Sequence, residues 1–381
     1  MGGHHVNKLK HVCITTALAA GLLGTAGPAG AAPAPKPCKP ELLLLTSLTV
    51  GDGYANGEVL GFGAGDLSVG SSEGRPVFWE GVKVTAVPLP AGWAAGRVNA
   101  VNAGGLMVGT LTRNNGSEAV AFTYRKGDAA VTLLSAAGDN SWGADVNDAG
   151  YVVGTAAGTA TVWRNGRVVR RLPVPADAHA ATKVGAAGIN KRGDIVGTAT
   201  TYYWDEAGDY PVGNSFPVVW PAGGYDPYSL LVENQTDYTI GNRATDIDAA
   251  GRVVGFEDLD LKAWYRTTAQ VWKKPYDALP TLPGKLPGHE DGELYAISPT
   301  TNVSVGSAMT YEEGYPQQLK PQYWPGSGPM LTLPLPDADA TGRAKAVSDD
   351  DRVGGTVIDH DHLVGESAAV WTCASRQAYA L

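Results

Sequence analysis

An all-β fold is what this sequence predicts, and three observations carry the prediction. Glycine supplies 50 of the 381 residues, with 25 prolines and no Gly-X-Y period. Such a chain is penalised in helices and suits short strands joined by tight turns. One phrase recurs seven times along the chain, and each recurrence is followed by a short apolar segment carrying aromatic residues.

The phrase is clearest in residues 98–109 (VNAVNAGGLMVG) and 143–154 (GADVNDAGYVVG). It returns at 186–197 (AAGINKRGDIVG) and 244–255 (ATDIDAAGRVVG), more loosely at 295–306 (YAISPTTNVSVG) and 344–355 (AKAVSDDDRVGG), and in reduced form at 54–61 (YANGEVLG). Within it, Asn147-Asp148-Ala149-Gly150 has an Asx residue to open a type I turn and a glycine for the left-handed position behind it, a bulged hairpin turn. The same spacing recurs as Asn102 to Gly105, Asn190 to Gly193 and Asp248 to Gly251. These Asn and Asp residues read as turn caps rather than metal ligands. Small residues dominate at Ala100, Asp145, Gly188, Asp246, Ala296 and Ala346, as expected where strands crowd an axis.

The second half of each unit carries Trp79, Phe122 with Tyr124, Trp163, Trp220, Trp272, Trp324 or Trp371. Each is most simply a core wedge, since a buried aromatic covers about 150–250 Å². Leu-rich segments such as Leu133-Leu134, Leu172-Pro173, Leu282-Pro283 and Leu333-Pro334 follow and read as a last strand. Strand, tight turn, strand, variable loop, strand, turn, strand is the signature of a β-propeller blade. Seven copies predict a seven-bladed β-propeller, with a six-bladed or incomplete ring as the alternative. A parallel β-helix lacks such hairpin turns, and a sandwich has no need of one phrase seven times.

With these phrases in hand, the unit resembles the extracellular HAF-type repeat. That family's Ala-x-x-Ile-Asn-x-x-Gly-x-Val-Val-Gly phrase is followed by His-Ala-Phe and an aromatic. Residues 76–79 (PVFW), 160–163 (ATVW) and 217–220 (PVVW) keep no His, so the chain resembles a divergent member. The resemblance implies an exported bacterial protein and carries over no active site.

Residues 1–31 read as a signal peptide: Lys8 and Lys10 precede an apolar core from Val12 to Leu23, and a small-x-small site ends near Ala31. That core is too short to span a membrane, and Cys13 lacks a lipobox. Residues 32–40 form a Pro-rich lead-in, and 41–381 a single propeller domain. Cleavage leaves Cys38 and Cys373, which in an oxidising compartment predict one disulfide stapling the ends. Residues 41–50 (ELLLLTSLTV) or 374–381 (ASRQAYAL) could supply the strand that closes the last unit. The formal charge of −9 becomes −11 without Lys8 and Lys10. An acidic surface does not attract nucleic acid or anionic lipid. The expectation is a secreted monomer with no cofactor and no membrane insertion.

Function usually sits on variable loops held by a rigid scaffold. Aromatic residues lie beside carboxylates there: Tyr202, Tyr203, Trp204, Trp264, Tyr265, Tyr311 and Tyr315. Such pairs suit a carbohydrate or peptide, hence an extracellular glycan or protein partner. The blander reading is that they pack the long loops. A non-catalytic binding module is therefore favoured, with a polysaccharide-active glycosidase or lyase and a purely structural cell-surface protein as alternatives. Asp145 and Asp246, in equivalent first strands, are the candidate carboxylates for catalysis. No Gly-x-Ser-x-Gly, His-Glu-x-x-His or phosphate loop occurs. Asp359, His360, Asp361 and His362 are a weak candidate metal site, weaker than a solvated loop.

Overall fold

In the computed structural model the described residues are 38–48, 56–113, 118–134, 140–176, 178, 182–205, 210–224, 226–232, 239–260, 265–312, 315–359 and 365–379. The segment 1–31, with Trp264, His360, Asp361 and His362, lies outside them. Residues Cys38–Leu381 form one unit. Repeat 1 contributes strands Gly57–Phe62, Leu67–Ser72, Arg75–Glu80 and Lys83–Ala86; repeat 2, Ala95–Val101, Leu106–Thr112, Ala119–Arg125 and Thr132–Leu133. Repeat 3 has Ser141–Val146, Tyr151–Ala156, Thr159–Arg164 and Arg167–Arg171; repeat 4, Thr182–Ile189, Ile195–Asp205, Tyr210–Trp220 and Tyr228–Ser229. Repeat 5 has Thr239–Ile247, Val253–Asp260 and Tyr265–Trp272; repeat 6, Asp291–Ile297, Ser304–Glu312, Tyr315–Trp324 and Leu331–Thr332. Repeat 7 has Thr341–Val347, Arg352–Ile358 and Ser367–Thr372, followed by the only described helix, Ala374–Gln377.

Strands pair antiparallel with their neighbours inside each repeat, giving the successive meanders of a β-propeller-like fold. They make six hydrogen-bonded sheets, because repeats 4 and 5 share one of seven strands. A single parallel pair, Ser215 with Gly241, joins the two halves of that sheet. The expected last strand at Leu282-Pro283 is absent. Only a bridge from Val271 to Thr281 remains; Leu282 is exposed and Leu286 is buried in its place.

The repeated phrase encodes one irregularity. In all seven first hairpins the register shifts by one residue in the first strand, between Val59 and Gly61, Val98 and Ala100, Gly143 and Asp145, Ala186 and Gly188, Ala244 and Asp246, Leu294 and Ala296, and Ala344 and Ala346. Such a bulge leaves an unpaired residue and re-aims the strand. It also presses a carbonyl against the facing residue. A Cβ on Gly255 would lie 1.8 Å from the Arg243 carbonyl oxygen, and one on Gly154 would lie 1.9 Å from that of Trp142. The closing glycine of the phrase is therefore steric in origin. The same contact corrects the first copy, which spans residues 59–70 rather than 54–61: Gly70 faces Val59, beneath the Glu58 carbonyl. Gly63 to Gly65 replaces the Asx turn there, which hides the likeness.

Each repeat packs on the next through an apolar seam. One, for example, joins Val153 and Leu172 of repeat 3 to Val184 and Trp220 of repeat 4. The last joins Ala368 and Val370 of repeat 7 to Val59 and Trp79 of repeat 1. The aromatic wedges are buried as expected, and several also latch the seams. The indole Nε1 of Trp220, Trp272 and Trp371 donates to the carbonyls of Pro173, Leu231 and Pro334 in the preceding repeat, at 2.7–2.8 Å. The turn asparagines do the same on one face. Asn102 Nδ2 donates to the Asn147 carbonyl, Asn147 to Asn190 and Asn190 to Asp248, while each Oδ1 caps its own turn.

The ends meet in the last sheet. Strand Glu41–Leu44 pairs with Ser367–Thr372, so the N-terminal segment supplies the fourth strand. The C-terminal segment instead bridges Tyr379 to Thr332 of repeat 6. A Cys38–Cys373 disulfide clamps this junction, with Cα atoms 5.8 Å apart and a sequence separation of 335. Arg352 crosses the same seam, stacking 4.6 Å over the Phe62 ring and donating to the Gly63 carbonyl.

Two outcomes follow. Gly255→Ala should destabilise the fold by about 1–3 kcal/mol, the usual cost of overpacking, measured by urea unfolding; an unchanged midpoint would refute the carbonyl clash. Alkylation under denaturing conditions of the chain from residue 32 onward should leave its mass unchanged until a reductant is added, and then label Cys38 and Cys373.

Candidate functional site

The inner strands run from the variable-loop face to the Asx-turn face, and their two ends differ chemically. Towards the Asx turns lies a cavity of about 600 Å³ whose lining includes Ala100, Asp145, Asp246, Ala296 and Ala346, the small positions just after the bulges. Gly188 completes the series between the two acids. A Cβ there would sit 3.1 Å from Asp246 Oδ1, so glycine leaves room for the neighbouring carboxylate.

Both acids are spoken for. Asp145 Oδ1 accepts from its own strand at Val146 N (2.7 Å), and Oδ2 from the next repeat at Ile189 N (2.8 Å). Asp246 repeats the pattern with Ile247 N (2.7 Å) and Ile297 N (2.9 Å). Each carboxyl group thus staples two inner strands. Burial raises the Asp145 carboxyl above its ordinary range, against the pull of its two amide donors. Burial, with the Asp145 charge adding to it, pushes Asp246 up to about 8.

At the variable-loop end, two positions before each bulged residue, stand Glu58, Arg97, Trp142, Gly185, Arg243, Glu293 and Arg343. Ion pairs run from Arg97 to Glu58 (3.7 Å), Arg243 to Asp258 (2.9 Å) and Arg343 to Glu366 (3.7 Å). Lys345, on a bulge, lies with Nζ 3.3 Å from the centre of the Tyr295 ring, and Tyr295 Oη donates to Glu293. Burial lowers Lys345 to about 8 although Glu293 and Glu58 oppose it, and burial raises Glu293 to about 7. Lys345 feels charges from repeats 1, 2 and 6, so these side chains converge on the axis. Their spacing ahead of the closing glycine, 12 residues in six repeats and 13 for Glu293 before Gly306, is the signal that sequence reading missed.

Three consecutive repeats extend their central hairpins at this end, and they carry most of the expected aromatics. These positions are strands rather than loops. Tyr202, Tyr203 and Trp204 pair with Gly213, Val212 and Pro211; Tyr265 pairs with Asp260; Tyr311 pairs with Pro316 and Tyr315 with Glu312. Tyr202 is half-exposed, with Lys183 Nζ 5.7 Å from its ring centre. It borders a depression of about 370 Å³ with Thr198, Thr200, Gly213, Ser215 and Arg243, where repeats 4 and 5 meet. Asp359 follows the strand Arg352–Ile358. No cluster of three His, Cys, Asp or Glu side chains suited to a metal occurs among the described residues, and no described helix is long and apolar enough to cross a membrane.

No protein-family model and no curated protein matches this sequence. The chain is similar to the β-propeller domain of the Trilobed protease from Pyrococcus furiosus, at 11% identity and TM-score 0.50, over 84% of this chain and 92% of that one. That propeller has an open velcro topology. The likeness supports the propeller-like fold, and the strand pairing of Glu41–Leu44 is this chain's own closure. A puromycin-hydrolyzing peptidase from Mycobacterium tuberculosis aligns at 11% identity and TM-score 0.43, over 72% of this chain and 46% of that one, so the chain spans less than half of it. TolB from Acinetobacter baumannii aligns at 8% identity and TM-score 0.37, over 85% and 80%.

The raised Asp246 carboxyl has a signed consequence. Its ordinary value is 3.8 and its folded value about 8, so over that window the folded chain holds a proton that the unfolded chain has lost. Its contribution is present at low pH and fades as pH rises to about 8. In urea unfolding from pH 5 to 8.5, wild-type stability relative to Asp246→Asn should fall steadily; a pH-independent difference would contradict the assignment.

Proposed function

We propose that this protein is an exported, seven-bladed β-propeller, made with a signal peptide over residues 1–31, whose single domain (41–381) binds a carbohydrate or peptide on its variable-loop face without catalysis. The blade count is supported by seven bulged hairpins and by apolar seams that return from repeat 7 to repeat 1. A disulfide suits an oxidising, extracellular setting. The divergent HAF-type resemblance points the same way.

One observation carries the binding reading: hairpins of three consecutive repeats extend beyond the seams and bring Tyr202, Tyr203, Trp204, Tyr265, Tyr311 and Tyr315 to one end of the ring. Aromatic faces beside carboxylates offer flat apolar platforms with acceptors at the rim. Trp264, beside Tyr265 in sequence, belongs to the same proposal.

A polysaccharide-active enzyme is the second reading, favoured by the Asp145 and Asp246 pair with its raised carboxyls in a cavity. Against it, both oxygens of each acid already accept backbone amides. Those bonds make the acids staples between repeats before anything else.

Glycan-array and pull-down binding of the wild type against a Trp204→Ala, Trp264→Ala double variant tests the proposal. Binding should drop at least tenfold, the scale of losing an aromatic platform worth about 1.4 kcal/mol or more. Equal behaviour of the two proteins would defeat it. Polysaccharide cleavage abolished by Asp145→Asn or Asp246→Asn would establish the enzyme reading instead.

A further inference from the structure

We infer that the depression between repeats 4 and 5 is a subsite for an acidic saccharide, a sugar ring bearing a carboxylate; this rests on the binding reading and names its ligand class. Sequence and sheet geometry build the site together. Along the strand Ile195–Asp205, Thr198, Thr200 and Tyr202 alternate onto one face, the face that also carries Val196 in the seam with repeat 5. Opposite Tyr202 stands Gly213, whose Cβ would lie 3.3 Å from the tyrosine ring. The ring therefore lies over bare backbone on one side and turns its half-exposed surface outward. Ser215 follows on the same strand, its hydroxyl 2.8 Å from that of Thr200. Gly241, across the parallel pair, lets the two repeats approach, since a Cβ there would lie 3.0 Å from that of Ser215.

The charge at the rim is fixed in place. Arg243 Nη2 is held on Asp258 at 2.9 Å, and the guanidinium carbon lies 5.8 Å from the Phe256 ring centre. A guanidinium carries five N–H donors in a rigid plane, so one ion pair leaves donors to meet a carboxylate. Lys183 stands on the other side of Tyr202. A flat aromatic, three hydroxyls and a guanidinium match a polyhydroxylated ring with one anionic substituent. An apolar peptide side chain would find little to bury.

The test is calorimetric titration with matched oligosaccharides, a uronate trimer and its carboxyl-reduced neutral counterpart. The wild type should bind the uronate at least tenfold more tightly. Tyr202→Ala should weaken both sugars, while Arg243→Gln should erase only the preference. Arg243→Lys, which keeps a positive charge facing Asp258, guards against misfolding and should retain part of the preference. Neutral sugar bound as tightly as uronate, or a preference that survives Arg243→Gln, overturns the inference and leaves the binding reading standing. Binding of neither sugar, together with unchanged capture by the Trp204→Ala, Trp264→Ala variant, removes both.

Discussion

A carbonyl oxygen pressed against a residue with no side chain governs the rest of the molecule. The bulge in each first hairpin drives the carbonyl of the preceding residue into the space a Cβ would fill on the facing strand. Only glycine fits, and it returns once in every repeat. In exchange, the bulge turns the inner strand so that the next residue faces the axis. These positions are small and line a cavity, and two of them hold aspartates that tie adjacent strands together. Cavity, staples and charged rim all descend from one local distortion.

Contacts between repeats are arranged as layers along the same axis. Apolar wedges fill the middle, and the indole donors of Trp220, Trp272 and Trp371 fasten the outer side of three of the seams. Amides of the turn asparagines fasten the inner turns. A net hydrogen bond contributes only about 0.5–1.5 kcal/mol, so these links add direction more than stability. Removing one partner, however, strands a buried group at higher cost.

Much of this is legible in the sequence. The repeated phrase contained the hairpin, the turn and the glycine, and the tryptophans announced the seams. Cysteine arithmetic anticipated the Cys38–Cys373 link, whereas the closing strand stayed undecided because Glu41–Leu44 and the C-terminal segment are both plausible by composition. Pairing with Ser367–Thr372 resolved it in favour of the N-terminal strand. The first copy was misplaced because glycines had replaced its Asx turn. Positions 202–204 looked like loop insertions, since aromatic and polar residues there lack the alternation of a half-buried strand. Glu58, Arg97, Arg243, Glu293 and Arg343 were invisible for a different reason: charged residues at one structural position mean nothing until a ring gathers them.

Ring closure is where these contacts are tested together, because an unpaired last sheet would leave an open edge. Hydrogen–deuterium exchange of residues 41–46, compared with 367–372, measures it most directly. With the N-terminal strand seated in the last sheet, both segments should resist exchange to a similar degree. Complete exchange of 41–46 within seconds, while 367–372 stays protected, would mean that the ring is not closed by that strand.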